Sequence, residues 1–456
     1  MIKRFRFSLF VVAILALTLC FAFTGISAAP SGEPIVIGYA GMVLSPGTRP
    51  CMAIQKIAVQ EINAAGGVLG RPLKYVIADN KGATSLTVAG ARRLLLEDNA
   101  KFVFVEGRTE ICLAAQENAA AMFKDYPHIL IFNGALGSEL TARVVDEYEK
   151  YKFCFRDFDP EPASYAMLRY SLDTIPQHVF PGGLKRMAIL WEDLEWTKAW
   201  REGIPSLGLP PWEEIFKKDY GIEIVYSKMV KPRGTMYLPL LQQIAGTGAQ
   251  SIFYVSSWYT DTEAFVKQWA DSAARDIPVS LVGGSSQTSD FWELTGGKCL
   301  GVEGSFTDCL LPLTDKTIPF VKMARKHKIP TQMHVHVAYA DIYFIKKVIE
   351  TAGGVDDIDK LIKAMETVET TYSLGKMAYE QKRIKPFFHS KVRVDPNDPQ
   401  HTTYPGAFIE PHAQFQNDGK IQYLRPSCKE NEPIFEGIGS PSDYVLPAEL
   451  RKRQKK

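Results

Sequence analysis

Cysteine is scarce: the 456 residues contain seven, and no two are spaced Cys-x-x-Cys. That removes the usual signature of a structural zinc site or a redox dithiol. Excess charge of one sign is lacking too, with 53 Lys and Arg against 51 Asp and Glu. A near-neutral chain carries no electrostatic footprint for nucleic acid. Long apolar runs are confined to one, Leu9–Phe23, which is short for a bilayer crossing of about 20 residues. Catalytic signatures are missing as well: no Gly-x-Ser-x-Gly elbow, no phosphate loop, no His-Glu-x-x-His. Gly66-Gly67-Val68-Leu69-Gly70 follows a helical pattern and precedes a strand, the reverse of a dinucleotide-binding turn. The chain reads as a non-enzyme.

What is present begins at the N-terminus. Lys3, Arg4 and Arg6 precede the apolar run, and Ser27-Ala28-Ala29 follows it before Pro30. A basic head, an apolar core and small residues make a secretory signal peptide, with cleavage expected after Ala28. An uncleaved anchor, or a lipid on Cys20, are the alternatives. Cleavage leaves fifty basic and fifty-one acidic residues, and a protein that does not span the membrane. The expected compartment is the periplasm. The six remaining cysteines, Cys51, Cys112, Cys154, Cys299, Cys309 and Cys428, permit disulfides there, in fifteen possible pairings. Cys299 and Cys309 are close enough in sequence to staple one loop. The basic run Arg451–Lys456 reads as a frayed tail.

With 46% hydrophobic residues, residues 29–456 suffice for two large cores. The first third alternates strands and helices. Strands are expected at Ile35–Gly38, Leu73–Ala78, Phe102–Val105 and Ile129–Phe132, and helices at Cys51–Ala65, Ser85–Glu97 and Leu113–Phe123. A second series places strands at Met187–Leu190, Ile222–Val225, Ser251–Val255 and Val279–Val282. Helices at Tyr237–Ala245 and Asp261–Ala273 lie between these, and Ala338–Thr351 and Ile358–Thr367 follow. Such alternation implies α/β lobes with doubly wound parallel sheets. The expected division is 29–155 with 307–384 as lobe one, 156–306 with 385–440 as lobe two, and a tail at 441–456.

Ligands of open parallel sheets sit beyond the carboxyl ends of the strands. The loops Met42–Arg49, Glu106–Glu110, Asn133–Ser138 and Ser256–Asp261 hold that position, and facing lobes would close on a ligand by hinge motion.

The segment Glu61-Ile62-Asn63-Ala64-Ala65-Gly66-Gly67-Val68-Leu69-Gly70-Arg71-Pro72-Leu73 closely resembles the branched-chain amino acid (Leu/Ile/Val) binding protein family of bacterial ABC importers. Ala78-Asp79-Asn80, Ser138-Glu139-Leu140-Thr141, Gly234-Thr235-Met236-Tyr237 and Ala352-Gly353-Gly354 continue the likeness in order along most of the chain. The resemblance implies the type I periplasmic-binding fold, three crossovers between lobes and no cofactor. It also implies a small-molecule ligand delivered to a membrane permease. A ligand-sensing receptor subunit of the same fold is the competing reading, and an exported α/β enzyme a remote one.

The site expected on this basis comprises Arg108, Thr109, Asn133, Gly134 and Ala135 from lobe one, with Trp196, Ser257, Trp258 and Tyr259 from lobe two. No catalytic or metal-ligating set is expected. By comparison with the family, Ile111 and Leu136 stand where hydroxyl residues belong, which argues against a plain aliphatic amino acid. Arg108 either grips a carboxylate through its two-pronged guanidinium or pairs with Glu106 or Glu110. The tryptophans suit an apolar ligand body. Glu192, Asp193 or Glu195 either holds an ammonium group or caps a surface helix. Ser285-Ser286-Gln287 either lines the far wall or caps the next helix. His334-Val335-His336 could ligate a metal on an extended segment, without a marked third ligand, whereas on a helix the two rings would diverge.

Overall fold

The computed structural model describes residues 29–174, 180, 183–288, 290–308, 310–401, 404, 406–407, 411–425 and 443–454. The signal peptide, Cys20, Cys309, Cys428 and the final two lysines lie outside the described residues.

Two sheets organise the chain. The first has five parallel strands in the order β2-β1-β3-β4-β5. These are β1 (Ile35–Gly41), β2 (Leu73–Asp79), β3 (Phe102–Glu106), β4 (Ile129–Asn133) and β5 (Cys154–Arg156). The second has seven, in the order β14-β13-β10-β9-β8-β6-β7. Its parallel part is β6 (Arg186–Glu192), β7 (Glu223–Val230), β8 (Ser251–Val255), β9 (Val279–Val282) and β10 (Glu303–Ser305). After the two-stranded ribbon β11 (Thr370–Tyr372) and β12 (Gly375–Met377), β13 (His412–Phe415) and β14 (Ile421–Arg425) close one edge. Both run antiparallel, so the second sheet is mixed rather than wholly parallel. The chain passes between the sheets three times: after β5, after β10, and before β13.

Period-two alternation explains the second core. Along β6, Met187, Ile189 and Trp191 face the helices Ser164–Thr174 and Trp212–Tyr220, whereas Ala188 and Leu190 face Leu238–Gly246 and Thr262–Ala270. A strand covered on both faces must be apolar throughout, and each side chain fully buried there contributes about 1.5–3 kcal/mol. A separate core joins the first sheet to the helix Met333–Ala352. The helix Thr48–Ala64 ends where Gly67 takes φ +75°; a Cβ there would lie 2.2 Å from the Arg71 carbonyl oxygen, so no other residue fits the turn.

Two expectations are corrected and one open alternative is decided. Cys51, Cys112, Cys154 and Cys299 are free, buried thiols, so Cys51 and Cys112 are unpaired and Cys299 staples no loop. The basic run is not a frayed tail: Pro447–Gln454 is helical, Leu450 is buried, and Arg451 Nη2 reaches Asp276 Oδ1 at 2.5 Å. His334 and His336 lie on a helix, not an extended segment.

Candidate functional site

The carboxyl ends of β3, β4, β6, β8 and β9 point toward one cavity of about 270 Å³ between the two sheets. Arg108, Thr109, Asn133, Gly134, Ala135, Trp196, Ser257, Trp258 and Tyr259 all line it. Ser45, Gly47 and Thr48 reach it from the loop after β1, and Gln287 from the loop after β9.

Their roles differ from the expectation in detail. The Arg108 guanidinium is half-exposed and pairs with Glu110, Nε to Oε1 at 2.9 Å, so its charge is already answered on the cavity rim. Thr109 opens the helix Thr109–Met122 and its Oγ1 accepts the Gly137 N–H at 3.2 Å. A Cβ on Gly137 would sit 2.1 Å from Thr109 Cγ2, so glycine is what lets this loop close on the hydroxyl. Ile111 lies two residues further on, about 200° around the helix. It is buried in the interior against Gly107. Of the two positions where the family carries a hydroxyl, Leu136 lines the cavity and Ile111 does not. The Asn133 amide donates to Asp157 Oδ2 at 2.7 Å and braces the crossover after β5.

Two carboxylates outside the expected site set organise the walls. Glu192, the last residue of β6, is wholly buried. It accepts hydrogen bonds from Trp196 Nε1 at 2.7 Å, Ser257 Oγ at 2.8 Å and Thr260 Oγ1. It is neither a surface cap nor free to hold an ammonium group. Burial raises its carboxyl above the ordinary range, and the three donors offset part of that. Glu106 ends β3 and accepts from the Met42 N–H at 3.2 Å, and the Thr48 and Tyr259 hydroxyls lie close enough to lower its pKa. Tyr259 follows β8 of the other sheet, so these two residues approach the cavity from opposite sheets. Burial again raises the Glu106 carboxyl. Position at a strand end was the only sequence signal for either residue.

The apolar wall is aromatic. Trp196 meets Trp200 edge-on with centroids 4.8 Å apart, and Trp200 stacks on Trp212 at 4.3 Å. Ser285 Oγ shares a hydrogen bond with Thr262 Oγ1 at 2.7 Å, which ties the loop after β9 back to the preceding helix Thr262–Ala270. His336 is buried between Ser373 Oγ at 2.8 Å and the Thr307 carbonyl at 3.2 Å, whereas His334 faces the cavity. The two imidazoles diverge, and no group of three metal-ligating residues occurs among the described residues.

Two α/β units with strand-end loops enclosing one aromatic cavity define a receptor for a small ligand. The sequence profile of the periplasmic binding protein family matches residues 44–386, and the chain belongs to that family, which is one of solute-binding proteins rather than enzymes. Among curated relatives, the Leu/Ile/Val-binding protein homolog 3 of Brucella melitensis is 23% identical over 351 residues, 74% of this chain and 86% of its own length. A leucine-, isoleucine-, valine-, threonine- and alanine-binding protein of Pseudomonas aeruginosa is 23% identical over 336 residues, covering 72% and 79%. Among solved structures, an ABC transporter solute-binding protein of Rhodopseudomonas palustris HaA2 in complex with p-hydroxybenzoic acid superposes with a TM-score of 0.63 at 18% identity, covering 87% of this chain and 97% of that one. An R. palustris solute-binding protein in complex with benzoate gives 0.63 at 14% identity, covering 86% and 96%. At such identities the likeness shows the shared fold. The family is extracytoplasmic, and no helix among the described residues is long and apolar enough to cross a membrane.

Proposed function

We propose that this protein is exported by its N-terminal segment, cleaved after Ala28, and serves in the periplasm as the solute-binding component of an ABC importer. It closes over a small organic ligand with an apolar body, amino-acid-like or an aromatic or aliphatic carboxylate, and hands it to a membrane permease without chemical conversion. Residues 29–155 with 307–384 form one closing lobe, and 156–306 with 385–440 the other. The observation that carries the reading is the convergence of strand-end loops from both sheets on one cavity walled by tryptophan. Ligand bridging both lobes would stabilise the closed state by differential binding. The names of relatives point to aliphatic amino acids and those of structural neighbours to benzoates, and the cavity suits flat or branched carbon bodies of that size.

The test is a thermal-shift screen of residues 29–456 against branched-chain amino acids, benzoates and aliphatic acids. A ligand at a hundred times its Kd adds about 2.7 kcal/mol to stability, which is read as a clear rise in Tm. Small-angle scattering should show compaction with the same compound. A screen without any responder, together with an unchanged radius of gyration, would remove the carrier reading.

A further inference from the structure

The polar groups around the cavity are mostly committed to one another. Arg108 is paired with Glu110, and Arg393 with Asp159 at 2.8 Å. Glu106 accepts the Met42 N–H, Ser257 is bonded to Glu192, and the Asn133 amide is bonded to Asp157. Trp212 Nε1 also lacks a partner among the described residues but belongs to the ring stacked on Trp200; two further groups face each other. Trp258 Nε1 and His334 Nδ1 are buried and have no hydrogen-bond partner among the described residues, yet both residues line the cavity.

Their positions are fixed by packing. Trp258 follows β8 and lies against Gly47, where an added Cβ would meet its Cγ at 3.0 Å. His334 comes from the other side of the cavity, in the first turn of the helix Met333–Ala352. Its ring packs on Phe158 with centroids 4.6 Å apart and meets Trp258 edge-on, at 6.3 Å and 88°. A single ligand atom near this pair would touch both sides at once.

We propose that Trp258 and His334 together read an uncharged hydroxyl group of the ligand; this rests on the carrier reading above and deepens it. The indole N–H only donates, so its partner must be an acceptor. The imidazole is neutral, since burial pushes its pKa down to about 4. It therefore offers one donor and one acceptor nitrogen. A hydroxyl accepts from Trp258 and either donates to or accepts from His334, so both orphaned groups are satisfied in either tautomer. A methyl group would leave both unsatisfied, which buried polar groups tolerate poorly. A carboxylate at this point would bring a full charge without a free cation to answer it, because both arginines of the cavity are paired. Sequence reasoning treated Trp258 as an apolar wall and His334 as a stray imidazole; the cavity makes them one recognition element.

Isothermal titration with matched probes tests this: threonine against its isostere valine, 4-hydroxybenzoate against benzoate, and terephthalate with a carboxylate in place of the hydroxyl. In at least one pair the hydroxylated member should bind about ten- to a hundredfold more tightly than its partner, and terephthalate more weakly than 4-hydroxybenzoate. Trp258→Phe and His334→Phe, each made alone, should shrink that preference to within about threefold, whatever the change in the affinity of the hydroxyl-free member. His334→Gln, which keeps a donor and an acceptor, should retain most of it. Either Phe variant suffices should the other fail to fold. A preference that persists in both variants overturns the proposal, as does equal binding within each pair; neither result touches the carrier reading. Failure of both members of every pair to bind also overturns the hydroxyl assignment, and the broader screen then decides the carrier reading separately.

Discussion

Arg156→Ala is expected to remove about 3–5 kcal/mol of stability, the range for breaking up a buried charged network. Arg156 is wholly buried at the end of β5. Its Nη1 donates to the Leu136 carbonyl at 2.7 Å and the Gly137 carbonyl at 2.8 Å. Nη2 donates to Thr141 Oγ1, to the Pro386 carbonyl at 3.2 Å and to Ser390 Oγ at 3.0 Å, and Nε also reaches Ser390 Oγ at 3.1 Å. The backbone adds to this, with Arg156 N bonded to the His389 carbonyl at 2.9 Å and Lys391 N to the Arg156 carbonyl at 3.1 Å. One side chain therefore fastens the loop after β4, which lines the cavity, to the segment 386–391 that leads back toward the second sheet. Burial lowers its pKa to about 10, so it stays charged at neutral pH. Truncation strands several carbonyls, each costing about 1–3 kcal/mol when left unpaired. Lysine should rescue little, because one ammonium cannot reproduce a planar fork of five donors. Urea unfolding measures the change; a loss below about 1 kcal/mol would show that the network is not cooperative with the fold.

The strands of this fold were legible for a physical reason. Ser251–Val255 and Val279–Val282 were expected at the bounds found, because a parallel strand buried on both faces is a continuous apolar run. Their ends gave the loops, and the loops gave the nine cavity residues. Strand β5 was missed, since three residues ending in arginine make no apolar run, and its partners Pro386 and Ser390 lie some 230 residues away.

Side-chain direction was lost where a helix began earlier than its apolar pattern. The helix at Thr109 was expected from Leu113, and that at Met333 from Ala338. Their N-caps are Arg108 and Gln332, and neither makes a side-chain cap hydrogen bond, so the usual Ser, Thr, Asp or Asn signal is absent. The first of these late starts hid that Ile111 turns inward while Thr109, expected in the site, lines the cavity. The second left His334 open between an extended segment and a helix and concealed its place opposite Trp258. Charge partners are the other illegible quantity: whether Arg108 meets a ligand or Glu110 depends on rotamers, and Glu192 gains its donors from loops 4 to 68 residues away.

Glu192→Ala should weaken binding of whatever compound the thermal screen yields by about ten- to a hundredfold, with a smaller loss of stability. The carboxylate is not in the cavity lining; it acts through Trp196 and Ser257, which are. Without it the Trp196 indole loses the bond that fixes its ring plane against Trp200, and the Ser257 and Thr260 hydroxyls lose their shared acceptor. Preorganisation of the second-sheet wall is what disappears, so the ligand must order these side chains on binding. Glu192→Gln keeps the shape and one acceptor oxygen, and should recover part of the affinity. Trp196 fluorescence separates positioning from general damage: it should shift in both variants of the ligand-free protein while far-ultraviolet circular dichroism stays unchanged. A pH titration gives a further check. A carboxyl held above its unfolded value of about 4.5 binds its proton more tightly in the native state, so its contribution to stability is full below that pH and is lost as the pH rises through the native value. Glu192→Gln should flatten that part of the stability profile. An unchanged profile together with wild-type affinity in Glu192→Ala would mean that Trp196 and Ser257 are held by packing alone.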